Sequence, residues 1–197
     1  MVHVTDLHEL LAQPAPLAAP YLLGAVISDG EVAVRIVEVE AYAGPDDPAS
    51  HAYRGPGRKN AVMFGPPGHA YVYLSYGVHW CLNVVCHPQG SGGGILLRGG
   101  EVVDGVEVAL ARRGGNPDLA RGPGRLGQAL GVTMADSGGD LRTGRLCLEP
   151  AARPERFVTG PRVGVSRAAD RPWRFWIEGD PYVSAYRRSS RASARPR

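Results

Sequence analysis

Residues Val32 to Glu40 read as a strand that delivers a carboxylate at its end, with Ala41-Tyr42 following, and this limits the folds open to the chain. In Val37-Glu38-Val39-Glu40-Ala41-Tyr42 successive side chains alternate faces, so Glu38, Glu40 and Tyr42 share one surface while Val39 and Ala41 pack into the opposite layer. A carboxylate beside an aromatic wall is costly to bury unless it is paired or used, which makes Glu40 a candidate working group; the alternative is a strand-end glutamate wetted by solvent. Upstream, Asp29-Gly30 accepts the positive φ angles of a tight turn, so Ala25 to Ile27 and Val32 to Glu40 form a hairpin. A second hairpin joins Tyr71 to Tyr76 with His79 to Cys86 at Gly77 and puts Tyr76 at its tip. An aromatic there buries little in its own core. It either caps a sheet edge or acts as a wedge inserted into a partner.

The remaining segments supply loops and packing elements. Asp6 to Leu11 is a short helix, and Pro14 and Pro16 open a second helical piece to about Leu23. Ala49 to Gly68, rich in Gly, Pro and basic residues without apolar periodicity, is a loop that lines something. Ile95 to Arg98 is a short strand whose charged end could pair Glu40. A helix over Asp104 to Arg113 stops at Gly114-Gly115. In Arg121-Gly122-Pro123-Gly124-Arg125 a proline starts a helix between two arginines, which is an ordinary helix start or a phosphate cradle. Arg145 to Leu148, Arg162 to Val165 and Trp173 to Ile177 complete the strands.

Composition excludes several classes. With 197 residues, 44% hydrophobic and 21% charged, the chain suits one globular domain over residues 1–186, followed by a basic, disordered tail over 187–197. No apolar run approaches the roughly 20 residues that span a bilayer, so no membrane association and a cytoplasmic location, nucleoid-associated when bound to DNA, are expected. The net charge of +3 permits a polyanionic partner, and with Lys59 as the sole lysine nearly all positive charge is guanidinium, which suits phosphate. Cys81, Cys86 and Cys147 read as reduced core thiols. His79, Cys81, Cys86 and His87 match no closed zinc pattern, and there is no dinucleotide fingerprint or P-loop, so neither metal nor cofactor is expected.

Taken together, Val37 to Tyr42, Ser50-His51-Ala52-Tyr53-Arg54-Gly55, Met63-Phe64, Tyr71 to Gly77, Cys81-Leu82-Asn83-Val84, Leu96-Leu97-Arg98, Gly122-Pro123 with Leu126 to Leu130, and Arg162 to Val165 resemble the 3-methyladenine (alkyladenine) DNA glycosylases, in family order over nearly the whole length. The resemblance implies a mixed α/β (α+β) single domain around a curved antiparallel sheet, with flanking helices and a protruding, DNA-intercalating β-hairpin. It implies a monomer that acts on damaged purines in double-stranded DNA. Glu40 would deprotonate the attacking water, which Arg98 and the backbone carbonyl of Val163 would help hold. Tyr42 and His51 would sandwich the flipped base, Tyr73 would wall the pocket edge and Asn83 would clash with the exocyclic amine of guanine. Tyr76 would fill the gap in the duplex, and Arg58, Lys59, Arg121, Gly122 and Arg125 would meet phosphates. The chain departs from the family in Gly57-Arg58-Lys59-Asn60, where members carry a Thr-Pro-Arg-Asn-like run. Two rivals remain: a non-catalytic module that senses distorted duplex, against which Glu40 argues, and a metal hydrolase using Glu38, Glu40 and His51, which lacks a helix to fix its geometry.

Overall fold

The computed structural model describes residues 7–151 and 155–192. Its frame is an antiparallel sheet that curls on itself, built from eight strands. In chain order these are β1 (Val26–Ser28), β2 (Ala33–Tyr42), β3 (Ala70–Ser75), β4 (His79–Val85), β5 (Gly94–Asp104), β6 (Cys147–Glu149), β7 (Phe157–Gly160) and β8 (Arg174–Ile177). The main path runs β3-β4-β5-β2-β1-β6. β2 is the hub, pairing with β5 along its length, with β1 through Ala33 to Arg35 and with β8 through Glu38 to Glu40.

Because neighbours flank β2 on both edges, Ile36 through Ala41 are all buried, acids included. Two register shifts against β5, on either side of Glu38, interrupt the plain alternation read from the sequence. Bulges bend a strand and re-aim its side chains, and here they let Glu38 and Glu40 serve different neighbours.

β5 is longer than the short strand expected to stop at Arg98: it continues through Gly99-Gly100 to Asp104. The glycines are required by close packing. A Cβ on Gly100 would collide with Val34 Cγ1 and the Arg35 carbonyl, and one on Gly99 would lie 2.9 Å from the Tyr182 carbonyl and 3.1 Å from Glu38 Oε2. Arg98 therefore sits mid-strand, under the C-terminal segment. The expected strand over Arg162 to Val165 is likewise corrected: the strand is β7, a few residues earlier, and Arg162 to Val165 is irregular chain crossing the end of β2.

Helices are short: α1 (Leu7–Leu11), α2 (Ala15–Ala18), α3 (Val106–Arg112) and α4 (Pro123–Ala129). They cover one face of the sheet, where Leu11, Leu22, Ile27, Ile36, Leu82, Leu97, Leu126 and Leu130 form the main core. A second, smaller core of Ala52, Met63, Tyr71 and Val85 supports the loop after β2. No helix among the described residues is long and apolar enough to cross a membrane. Residues 187–192 of the expected tail are described, and the Arg187 carbonyl accepts the Gly164 N–H at 2.9 Å; 193–197 lie outside the described residues.

One histidine ties the start of α2 to the chain leaving β4. His87, at φ 78°, accepts the Ala15 N–H at Nε2 (2.9 Å) and donates its own N–H to Gln13 O (3.1 Å). That acceptor role needs the neutral ring, and burial pushes the His87 pKa below its usual 6.5. The unfolded chain therefore binds the extra proton first, so stability is present above about pH 6.5 and falls as pH drops below it. His51 shifts in the same direction, so the comparison has to be made with a variant. His87→Gln should show a shallower fall in melting temperature between pH 7 and 5 than the wild type; equal slopes would remove His87 from the account.

Candidate active site

The two glutamates of β2 differ in partners. Glu38, fully buried, accepts Arg98 Nε (3.0 Å), Arg174 Nε (2.6 Å) and Ser184 Oγ (3.0 Å) at Oε1, and the Ser184 N–H (2.7 Å) at Oε2. Every lone pair that matters is occupied by structure, which removes Glu38 from the metal-hydrolase rival. Glu40, also fully buried, accepts the Val163 N–H at Oε1 (2.7 Å) and the Tyr42 hydroxyl at Oε2 (2.8 Å), with Arg98 Nε 3.5 Å from Oε1. Burial alone would lower the Arg98 pKa; Glu40 and Glu38 more than offset it and hold the guanidinium charged.

Above Glu40 opens a cleft of about 690 Å³, a size suited to a small-molecule moiety such as a base. Glu40 is not on its wall. Tyr42, Arg98 and Val163, the three residues that touch the carboxylate, all are. The rest of the wall includes His51, Tyr71, Tyr73, Asn83 and Leu96.

The aromatic groups form a set. His51 and Tyr73 meet edge to face with ring centroids 4.6 Å apart, and Tyr71 and Tyr73 stack at 6.0 Å. His51 Nδ1 lies 2.9 Å from the Tyr71 hydroxyl. Burial lowers the His51 pKa, favouring the neutral ring, and raises that of Tyr71 to about 12, keeping its proton. Burial followed by the Glu40 charge pushes Tyr42 well above the usual tyrosine range, so it too stays neutral. Asn83 donates Nδ2 to Tyr71 O at 3.0 Å, which fixes its orientation.

Three contributors were not legible beforehand. Asn60 shapes the loop carrying His51, donating to His51 O (2.8 Å) and Gly55 O (3.1 Å) and accepting the Gly57 N–H (2.6 Å). Asp47 and Arg162 form a buried pair behind Tyr42. An asparagine three residues after a glycine and an aspartate before a proline are the turn chemistry that signals such a role, but a partner 115 residues away carries no local signal.

Tyr76 stands at the hairpin tip with φ 51°, followed by Gly77 at φ 72°. A left-handed tyrosine is strained, and such strain clusters at functional positions. It is 92% exposed, with Val78 at 68% beside it, an apolar projection at the rim of the cleft. Arg58 and Lys59 are exposed on the loop after His51. Arg121 and Arg125 are not bare cations: both pair with Asp118, at 3.1 and 2.6 Å. Gly122 caps α4 at φ 125°, and Pro123 lines the cleft. Arg54 and Arg167 also line it.

This curled sheet with a carboxylate under an aromatic cleft has relatives among known proteins. Residues 9–181 match the family described as methylpurine-DNA glycosylase. Relatives named "Putative 3-methyladenine DNA glycosylase" include one from Nocardia farcinica, 53% identical with 96% of this chain and 94% of the relative covered. Another from Frankia casuarinae is 54% identical (89% and 90% covered), and one from Mycobacterium bovis is 53% identical (95% and 97%). The protein is thus a DNA glycosylase, an enzyme of base-excision repair whose substrate is DNA. Within that class it belongs to the methylpurine-DNA glycosylase family.

Proposed function

We propose that this enzyme, as a cytoplasmic monomer, takes damaged purines of the 3-methyladenine, 7-methylguanine, hypoxanthine and ethenoadenine class out of duplex DNA and hydrolyses the N-glycosidic bond with water alone. The observation that carries the reading is the fully buried Glu40 carboxylate, touched by three residues of the aromatic cleft. A carboxylate there contributes nothing to binding a polyanion and suits proton abstraction.

In this reading Tyr76 enters the stack as the base leaves, while Arg58, Lys59, Arg121, Gly122 and Arg125 meet the backbone. Arg121 and Arg125 would exchange Asp118 for phosphate. Flipping costs a few kcal/mol, and stacking between Tyr42 and His51, with Tyr73 at the edge, returns about 1–3 kcal/mol per base. A neutral His51 suits this, because an imidazolium would repel a cationic alkylpurine. Asn83 stands where a guanine amine would enter. The attacking water would sit where Tyr42, Arg98 and Val163 converge on Glu40. At this convergence Val163 offers its N–H to Glu40 (2.7 Å); the role proposed for its carbonyl concerns the water.

Water as the nucleophile is supported by the scarcity of side-chain amines. A lyase step needs a Schiff base from an amine of depressed pKa, and the one lysine, Lys59, is exposed on a loop. The test is a hypoxanthine-containing duplex with EDTA present and borohydride added during turnover. Free base should be released, the abasic strand should stay uncut and no covalent protein–DNA adduct should form. No base release sinks the substrate assignment, and a trapped adduct that disappears in Lys59→Ala sinks the water mechanism.

A further inference from the structure

Behind Tyr42 lies a buried ion pair that the proposed chemistry does not use. Arg162 is 1% exposed and Asp47 fully buried, with Arg162 Nη1 and Nη2 at 2.5 and 2.8 Å from the two carboxylate oxygens. The same guanidinium donates to Ala41 O (2.9 Å), next to Tyr42, and its Cζ lies 4.7 Å from the Tyr42 ring centroid and 5.2 Å from that of Trp173. Asp47 in turn accepts the N–H groups of Ala43 (3.3 Å) and Ala49 (3.2 Å), and its carbonyl accepts that of Ser50, the residue before His51. The residue after Arg162 is Val163, whose N–H meets Glu40.

Arg162 lies outside the cleft wall while Tyr42 lines it, so the guanidinium covers the side of the ring turned away from the cleft. One fork thus connects the back of Tyr42, the loop leading to His51 and the segment that presents Val163.

The arrangement is poor as a device for stability alone. Arg162 Nε is a buried donor without a hydrogen-bond partner among the described residues, and leaving such a group unmade costs about 1–3 kcal/mol. Buried pairs of this kind are often replaced by apolar residues without loss of stability. What apolar residues cannot reproduce is the planar fork, which fixes angles as well as distances.

We infer that Arg162 and Asp47 are positioning residues for base excision, setting the plane of Tyr42 and its separation from His51 and aligning Val163 on Glu40. The inference rests on the proposed function, since it concerns the slot in which the base would be held. Misplacement by about 1 Å in such a site can lower the rate about 10²-fold while binding is little changed.

The test is the paired replacement Arg162→Met with Asp47→Leu, which removes both charges together, and the conservative Arg162→Lys, which keeps the charge without the fork. Melting curves and duplex affinity come first, then single-turnover release of hypoxanthine at saturating enzyme. The paired variant should fold, melt below wild type because the Ala43 and Ala49 N–H groups lose the Asp47 acceptor, bind duplex with unchanged affinity and release base at least tenfold more slowly; Arg162→Lys should fail to restore the rate. A folded paired variant with wild-type single-turnover rate overturns the inference, and so does full activity in Arg162→Lys. If the paired variant does not fold, Arg162→Lys decides alone by the same rate at saturation. Absence of base release by the wild type itself would count against the proposed function and not against the positioning role of Arg162 and Asp47.

Discussion

Glu40→Gln should bind a hypoxanthine-containing duplex as tightly as the wild type and release base 10²–10⁴-fold more slowly, the range typical for loss of a general base. The substitution is close to silent for packing. Glu40 accepts hydrogen bonds from one obligatory donor, the Val163 N–H, and one hydroxyl that can turn round, that of Tyr42, and Arg98, 3.5 Å from the same Oε1, keeps Glu38 as its hydrogen-bonded partner. A glutamine can give its carbonyl oxygen to Val163 and its NH₂ to the tyrosine oxygen, so no buried polar group is stranded. Phosphate contacts, which dominate affinity, are remote from this change. Single-turnover base release at saturating enzyme, beside duplex affinity at one salt concentration, checks both halves. A near wild-type rate would show that Glu40 is not the base; a parallel fall in affinity and rate would show that it supports the cleft rather than the chemistry.

Local signals made much of this legible. Asp29-Gly30 and Tyr76-Gly77 mark hairpins because positive φ is confined to few residue types, and both turns lie where their sequences place them. Tyr42, His51, Tyr73, Asn83 and Arg98, expected to share a site, do line one cleft. What failed was anything decided by distant chain. Gly99-Gly100 reads as a strand end, yet those glycines continue β5 because Val34 and the Tyr182 carbonyl leave no room for a Cβ. Alternation treats Glu38 and Glu40 as equals, whereas bulges and an arginine 136 residues away give them separate duties. Nearer in the chain, the pairing of Asp118 with both Arg121 and Arg125 carries no mark in the sequence, where the segment reads as an ordinary helix start or a phosphate cradle.

Glu38→Gln is the variant in which that distinction becomes largest, and its expected effect is on stability. Four donors converge on the carboxylate: Arg98 Nε, Arg174 Nε, Ser184 N–H and Ser184 Oγ. With the amide oxygen placed toward the two arginines, the NH₂ faces the Ser184 N–H, donor against donor; with the amide turned round, it faces two guanidinium groups. Either way a mismatch is buried, and two arginines that are themselves buried lose the charge that compensates them. Breaking a buried pair from one side costs about 3–5 kcal/mol, against about 5–15 kcal/mol for a whole domain. Urea denaturation should therefore show a midpoint lowered by a large fraction with little change in m-value, while Glu40→Gln, which leaves Arg98 its Glu38 partner and strands no buried donor, should lose less. A loss below about 1 kcal/mol would mean that the C-terminal segment can move away and let water reach Arg98 and Arg174. In that event the junction of Ser184 with β2 would be a loose seam and not part of the frame that holds Arg98 beside Glu40.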